Sequence, residues 1–141
     1  LTIIGIDELT RLNEYSDKLD IEFAGVVYDD NKFYNILSQH DALVMPSLYE
    51  RQGKVQLEAM SAGVVPICSD SGGVYTTVTH LYNGLLFPPR DVDALVGEIN
   101  RLYSNKELYL DLQDKGLDYV ANLSVSEQVD KMAKIMKRYH D

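Results

Sequence analysis

Two glutamates, Glu50 and Glu58, stand with seven residues between them, and a glycine, Gly53, lies in the interval. These types at this spacing suit the binding of a small molecule that carries both phosphate and hydroxyl groups. A glycine that opens a helix lets a ligand come close to the backbone. The first N–H groups of that helix, those of Gly53, Lys54 and Val55, have no partner within it and face an anion. A carboxylate between one and two turns further on, Glu58, accepts two hydrogen bonds from a vicinal diol such as the two ribose hydroxyls of a nucleotide. Glu50 sits in the loop before the helix. Each acid also has a plain reading: Glu58 as a solvated helix residue paired with Lys54 four positions earlier, Glu50 as an ordinary loop carboxylate.

The elements that must hold these residues alternate along the chain. Short apolar runs at 1–4, 21–27, 41–46, 64–67 (continuing to Cys68) and 85–87 read as strands. Pro46 ends the third of these, Pro66 removes one ladder bond from the fourth, and Asn83-Gly84 turns into the fifth. Amphipathic runs read as helices at 9–19, 30–39, 53–62, 92–103, 106–120 and 126–139. Leu9, Leu12 and Leu19 face the core in the first of them; Phe33, Ile36 and Leu37 share a face in the second. Gly63 is placed as the cap of the third. Val92, Leu95, Val96, Ile99 and Leu102 keep helical spacing in the fourth, and Val129, Met132, Ala133 and Met136 in the last.

Alternating strands and helices predict an α/β fold, a Rossmann-like parallel sheet with helices on both faces and helices at the C-terminal end. Residues 1–141 are read as one domain. In such sheets ligands bind beyond the carboxyl ends of the strands, which makes the loops 5–8, 25–30, 47–53, 69–73 and 88–91 the places for chemistry.

The formal net charge of −9 argues against a nucleic-acid groove and against direct contact with an anionic membrane. It leaves room for a phosphate held by backbone N–H groups. A single cysteine, Cys68, allows no internal disulfide and no cysteine cluster for zinc, and reads as a small buried apolar residue. No targeting or membrane-spanning segment is visible, so the cytoplasm is the expected compartment. His40, His80 and His140 show no ligand spacing. Asp91-Val92-Asp93 has the form of a metal-binding D-x-D, but Asp91 stands where an N-cap belongs and Asp93 in the first turn, where the helix dipole favours it. No metal and no cofactor are expected.

The order of motifs resembles the donor-binding domain of retaining glycosyltransferases of the GT-B fold, especially family 4 (glycosyl transferases group 1). Glu50 to Glu58 followed by Ala59-Met60 and Gly63 is similar to that family's E-x7-E motif. Phe23-Ala24-Gly25-Val26 resembles its base-binding strand and loop, and Asp41-Ala42-Leu43-Val44-Met45-Pro46-Ser47 its next strand. Ser69-Asp70-Ser71-Gly72-Gly73 resembles its S-D-x-G-G turn, and Asn83-Gly84-Leu85-Leu86-Phe87 its final strand. The likeness covers essentially the whole chain. Three positions depart from it: Gln52 stands where an aromatic or small residue is usual, Thr76 where a glutamate is usual, and Gly5 is what remains of a G-x-G loop.

The resemblance implies a nucleotide-sugar donor, a UDP- or GDP-sugar, whose sugar is transferred to an acceptor hydroxyl with retention of configuration. It gives Glu50 the transferred sugar and the support of charge at its anomeric centre. The stretch Glu50, Arg51, Gln52, Gly53, Lys54 and Val55 would face the sugar and distal phosphate, Glu58 the ribose, and Gly25, Val26, Val27 and Tyr28 the base, largely through backbone atoms. Gly72-Gly73 would either approach the phosphates or form a tight turn. The family's domain begins one strand and one helix earlier, with an Arg and a Lys that grip the diphosphate, and follows an acceptor-binding domain. This chain is therefore expected to be a fragment, inactive alone, whose acceptor glycan or glycolipid and any membrane contact belong to the absent domain. Polysaccharide or glycolipid assembly is the expected setting. The alternatives are a non-catalytic nucleotide-binding or protein-docking domain of the same fold, which intact Glu50 and Glu58 oppose, and a sugar-nucleotide epimerase, whose acid–base histidines have no counterpart here.

Overall fold

The computed structural model describes residues 1–5, 20–51 and 53–123. The helices expected at 9–19 and 126–139, and Gln52, lie outside the described residues. The chain divides into two compact units, Leu1–Ile36 and Leu37–Asp141.

In the first unit β1 (Thr2–Ile4) and β2 (Glu22–Gly25) pair in parallel, with an irregularity between Ile3 and Ile4. Gly25 takes a left-handed φ of +66° there, and its carbonyl accepts from the Gly5 N–H at 3.0 Å. Helix α1 (Asp30–Leu37) follows, its last residue being the first of the second unit; Leu37 is buried while Phe33 and Ile36 are half-buried, the face that the spacing predicts.

The second unit is built on a parallel sheet in the order β3 (Ala42–Met45), β4 (Val65–Ser69), β5 (Leu85–Phe87). The central strand is buried along its whole length, as a parallel strand covered on both faces must be. Alternate side chains supply two separate clusters. Val65, Ile67, Leu85 and Phe87 pack with Leu102 and Leu112, from α3 (Val92–Ser104) and α4 (Lys106–Ala121). Cys68 packs with Met60 of α2 (Lys54–Ser61) and with Val74 and Val78, against Tyr119 and Val120 of α4. The α/β architecture with a parallel sheet is thus observed.

Pro66 survives in a central strand because of where pairing begins. The Val65 N–H donates to Asp41 O on the β3 side at 3.0 Å. Alternation turns position 66 toward β5, whose pairing starts only at Ile67. Helix α2 stops through a Schellman motif: Gly63 follows the cap residue Ala62 at φ +73°, its N–H donates to Met60 O at 3.0 Å, and the Val64 N–H donates to Ala59 O at 2.9 Å. The cap is therefore Ala62, and Gly63, which the sequence suggests as the cap, stands one position beyond it. The apolar spacing of α3 finds the helix but only part of its packing: Leu102 is buried and Leu95 half-buried, whereas Val92, Val96 and Ile99 are exposed.

Candidate functional site

The carboxyl ends of β3 and β4 are adjacent because the two strands run parallel in one sheet, from Ala42↔Val65 to Met45↔Cys68. The loops that leave them are joined at three points. Ser71 Oγ donates to Ser47 O at 2.9 Å, Ser69 Oγ donates to the same carbonyl, and the two hydroxyls lie 3.2 Å apart. The Gly73 N–H donates to Glu50 O at 2.7 Å. At Gly72 the chain passes so close that a β-carbon would overlap the carbonyl oxygen of Glu50 and come within 3.0 Å of its N and C atoms; φ is +58°. The glycine pair thus does form a tight turn, and its purpose is to seat the Glu50 loop. Its second N–H is taken by that loop.

Glu50 is half-buried, and its Oε1 accepts the Arg51 N–H at 3.1 Å, so the carboxylate is tied to its own loop. Arg51, Lys54 and Val55 are exposed and Gly53 is buried. Gly53 is the N-cap of α2, and no side chain caps that end. A serine or aspartate at this place would cover the first N–H groups from outside; glycine leaves them open. Its φ is −75°, an ordinary value, so any preference for glycine comes from space: a β-carbon would overlap the Gln56 amide and would have to displace that buried side chain.

Glu58 follows one turn later and is half-buried. Its backbone carbonyl accepts from Ser61 Oγ at 2.7 Å, and its carboxylate has no hydrogen bond or ion pair among the described residues. The pairing with Lys54 that would make it a plain surface residue is absent there. The buried Cys68 lies at the end of β4 beneath this site, and burial pushes its thiol from 9.0 up to about 12, with Gln56 drawing it down and Glu50 adding to the rise.

The remaining expected site residues belong to the other unit. Gly25 is in the left-handed turn described above, Val27 is half-buried, Val26 is exposed and Tyr28 is 91% exposed. Asp91 caps α3: its Oδ1 accepts the Ala94 N–H at 2.8 Å, with Asp93 in the first turn. Among the described residues no group of three or more His, Cys, Asp or Glu side chains is arranged to hold a metal ion. No described helix is long and apolar enough to cross a membrane.

Sequence reasoning quoted Ser47, Ser69 and Ser71 within motifs but gave them no role of their own, and gave none to Gln56. The available signals were faint: a hydroxyl closing an apolar strand, and an amide among the inward positions of a short helix.

The family described as Glycosyl transferases group 1 matches residues 1–118. A glycogen synthase from Thermodesulfovibrio yellowstonii is 36% identical over 103 residues, which cover 71% of this chain and 20% of that protein. Among solved structures, sucrose-phosphate synthase from Thermosynechococcus elongatus superposes with a TM-score of 0.79 at 27% identity, covering 99% of this chain and 38% of the other. Anabaena HepE, determined in complex with UDP-glucose, superposes with a TM-score of 0.77 at 19% identity over 97% of this chain and 40% of that one. The chain spans about a fifth of that glycogen synthase and under half of either structure.

Proposed function

We propose that this chain, which belongs to the glycosyl transferases group 1 family, is the donor-binding part of a retaining glycosyltransferase that moves a sugar from a UDP- or GDP-sugar to an acceptor hydroxyl. The observation that carries this reading is the uncapped N-terminus of α2 set between Glu50 and a carboxylate, Glu58, that has no partner among the described residues. In this reading the open N–H groups of Gly53, Lys54 and Val55 meet the sugar and distal phosphate. Glu58 receives the ribose hydroxyls. Glu50, seated by the turn at Gly72-Gly73, receives the transferred sugar and balances positive charge as the anomeric bond loosens. Arg51 flanks the phosphate. No metal enters the scheme; helix N-termini and basic side chains offset the diphosphate charge. The UDP-glucose bound by the Anabaena protein of the same fold supports the donor class. The acceptor, a glycan or glycolipid, falls to parts of the relatives that this chain does not span. Transfer of sugars into polysaccharide is the setting suggested by the glycogen synthase relative.

The test is titration of UDP, GDP and ADP by calorimetry or amide chemical shifts, on the chain as it stands and with Glu58→Ala. Saturable binding that Glu58→Ala weakens supports the reading. Binding to none of the three, or binding indifferent to Glu58, sinks it. A non-catalytic nucleotide-binding domain would bind equally well, but loss of turnover on Glu50→Ala in a longer chain that transfers sugar separates the two.

A further inference from the structure

Gln56 is the third residue of α2 and has no exposed surface at all. Its amide folds back under the turn that precedes the helix. Nε2 donates to Met45 Sδ at 3.5 Å, at the end of β3. Oε1 lies in the space that a β-carbon on Gly53 would take, and it is buried without a hydrogen-bond partner. A glutamine at this helix position ordinarily closes a capping box by accepting the N–H of the cap residue, yet no such bond forms. A methionine or leucine would fill the volume with no orphaned oxygen, and burying an unmet acceptor destabilises the fold. A feature that the fold alone would discard points to the site above it.

We infer that Gln56 is a positioning residue for the phosphate site: its buried amide fills the β-carbon space of residue 53, favours glycine at the cap, and so keeps the outer face of the α2 N-terminus uncapped for a ligand. The negative end of the amide dipole meets the positive helix end from the core side. The open N–H groups are thereby steadied from within, where a serine or aspartate cap would steady them from without and block the ligand. The inference rests on the reading of this helix end as the phosphate-binding part of a nucleotide-sugar site.

The experiment compares Gln56→Met and Gln56→Leu with the unaltered chain, reading thermal melting and the Kd for UDP and GDP. The expected result is opposed: melting unchanged or raised, and nucleotide affinity weakened about tenfold. A purely structural role moves the two together. Unchanged affinity overturns the inference, and so does a melting temperature that falls in step with affinity or a failure of both variants to fold. Glu58→Ala is measured beside them. If the unaltered chain binds neither nucleotide, or Glu58→Ala has no effect, the donor-site reading itself fails and takes this inference with it. If Glu58→Ala weakens binding and the Gln56 variants do not, only the inference falls.

Discussion

The Gly73 N–H donates to the backbone carbonyl of Glu50 across 2.7 Å. Through that bond the turn after β4 fixes where the loop after β3 ends, and therefore where the Glu50 carboxylate stands relative to α2. Gly72, beside it, is held at φ +58° against the same peptide.

Gly72→Ala is expected to be costlier than Gly63→Ala, although both glycines are left-handed. The αL backbone alone costs an L-residue about 1–2 kcal/mol. At Gly63 a new β-carbon meets only the Gln113 Nε2 at 3.4 Å, ordinary contact with the end of a flexible side chain. At Gly72 it meets immovable backbone of Glu50. Urea unfolding of the two variants should give a clearly larger loss for Gly72→Ala, and equal losses would show that the two loops are not locked together.

The two serines predict a non-additive pair. Ser69 Oγ and Ser71 Oγ both donate to Ser47 O, so either alone still serves that carbonyl. Each Ser→Ala change should cost about 1 kcal/mol, the net worth of one hydrogen bond. The double variant strips the carbonyl of both donors and should exceed the sum of the single losses in a double-mutant cycle. Simple additivity would count against a shared acceptor.

Cys68 sets an alkaline limit. Its thiol stays protonated in the fold up to about 12 because burial opposes the thiolate, whereas the ordinary value, taken for the unfolded chain, is 9.0. The folded pKa is the raised one, so the stabilising contribution is complete below the unfolded pKa and is lost as pH rises toward 12. Over that window the unfolded state holds fewer protons than the native state, and stability should fall by up to about 1.4 kcal/mol per pH unit from this group. Cys68→Ala should flatten the alkaline slope by one proton. In the native protein at pH 8 the thiol should resist alkylating reagents and react only on unfolding; rapid native labelling would contradict the burial.

Much of this was legible from local chemistry. β5 lies at Leu85–Phe87, where Asn83-Gly84 points. The start of α3 at Val92 follows from Asp91. These are short-range devices whose partners lie within a few residues. What was not legible depends on contacts distant in sequence. Ser69 and Ser71 reach a carbonyl 22 and 24 positions earlier. Gly72 reads as a phosphate glycine or a turn glycine until Glu50 is seen against it. Gln56 reads as a polar helix residue, and only the packing of Met45 and Gly53 around it turns its amide inward. The exposed half of the α3 stripe has the same cause: periodicity reports which residues share a face, not what that face meets.

Asp91 separates a helix cap from a metal ligand. Its Oδ1 accepts the Ala94 N–H at 2.8 Å, which occupies the carboxylate with a backbone donor. Asn keeps an acceptor oxygen in the same place and is as good a cap as Asp, while Ala removes it at a cost of about 0.5–2 kcal/mol. Asp91→Asn should therefore melt close to the parent chain and Asp91→Ala below it. A carboxylate recruited for Mg²⁺ or Mn²⁺ would behave differently, because the amide of Asn is a far weaker ligand for a hard cation. Nucleotide titration with EDTA, and again with excess Mn²⁺, should give the same Kd, and Asp91→Asn should leave it unmoved. Binding that appears only with metal and disappears on Asp91→Asn would mean that this carboxylate serves the diphosphate through an ion, and would displace the uncapped end of α2 as the centre of the site.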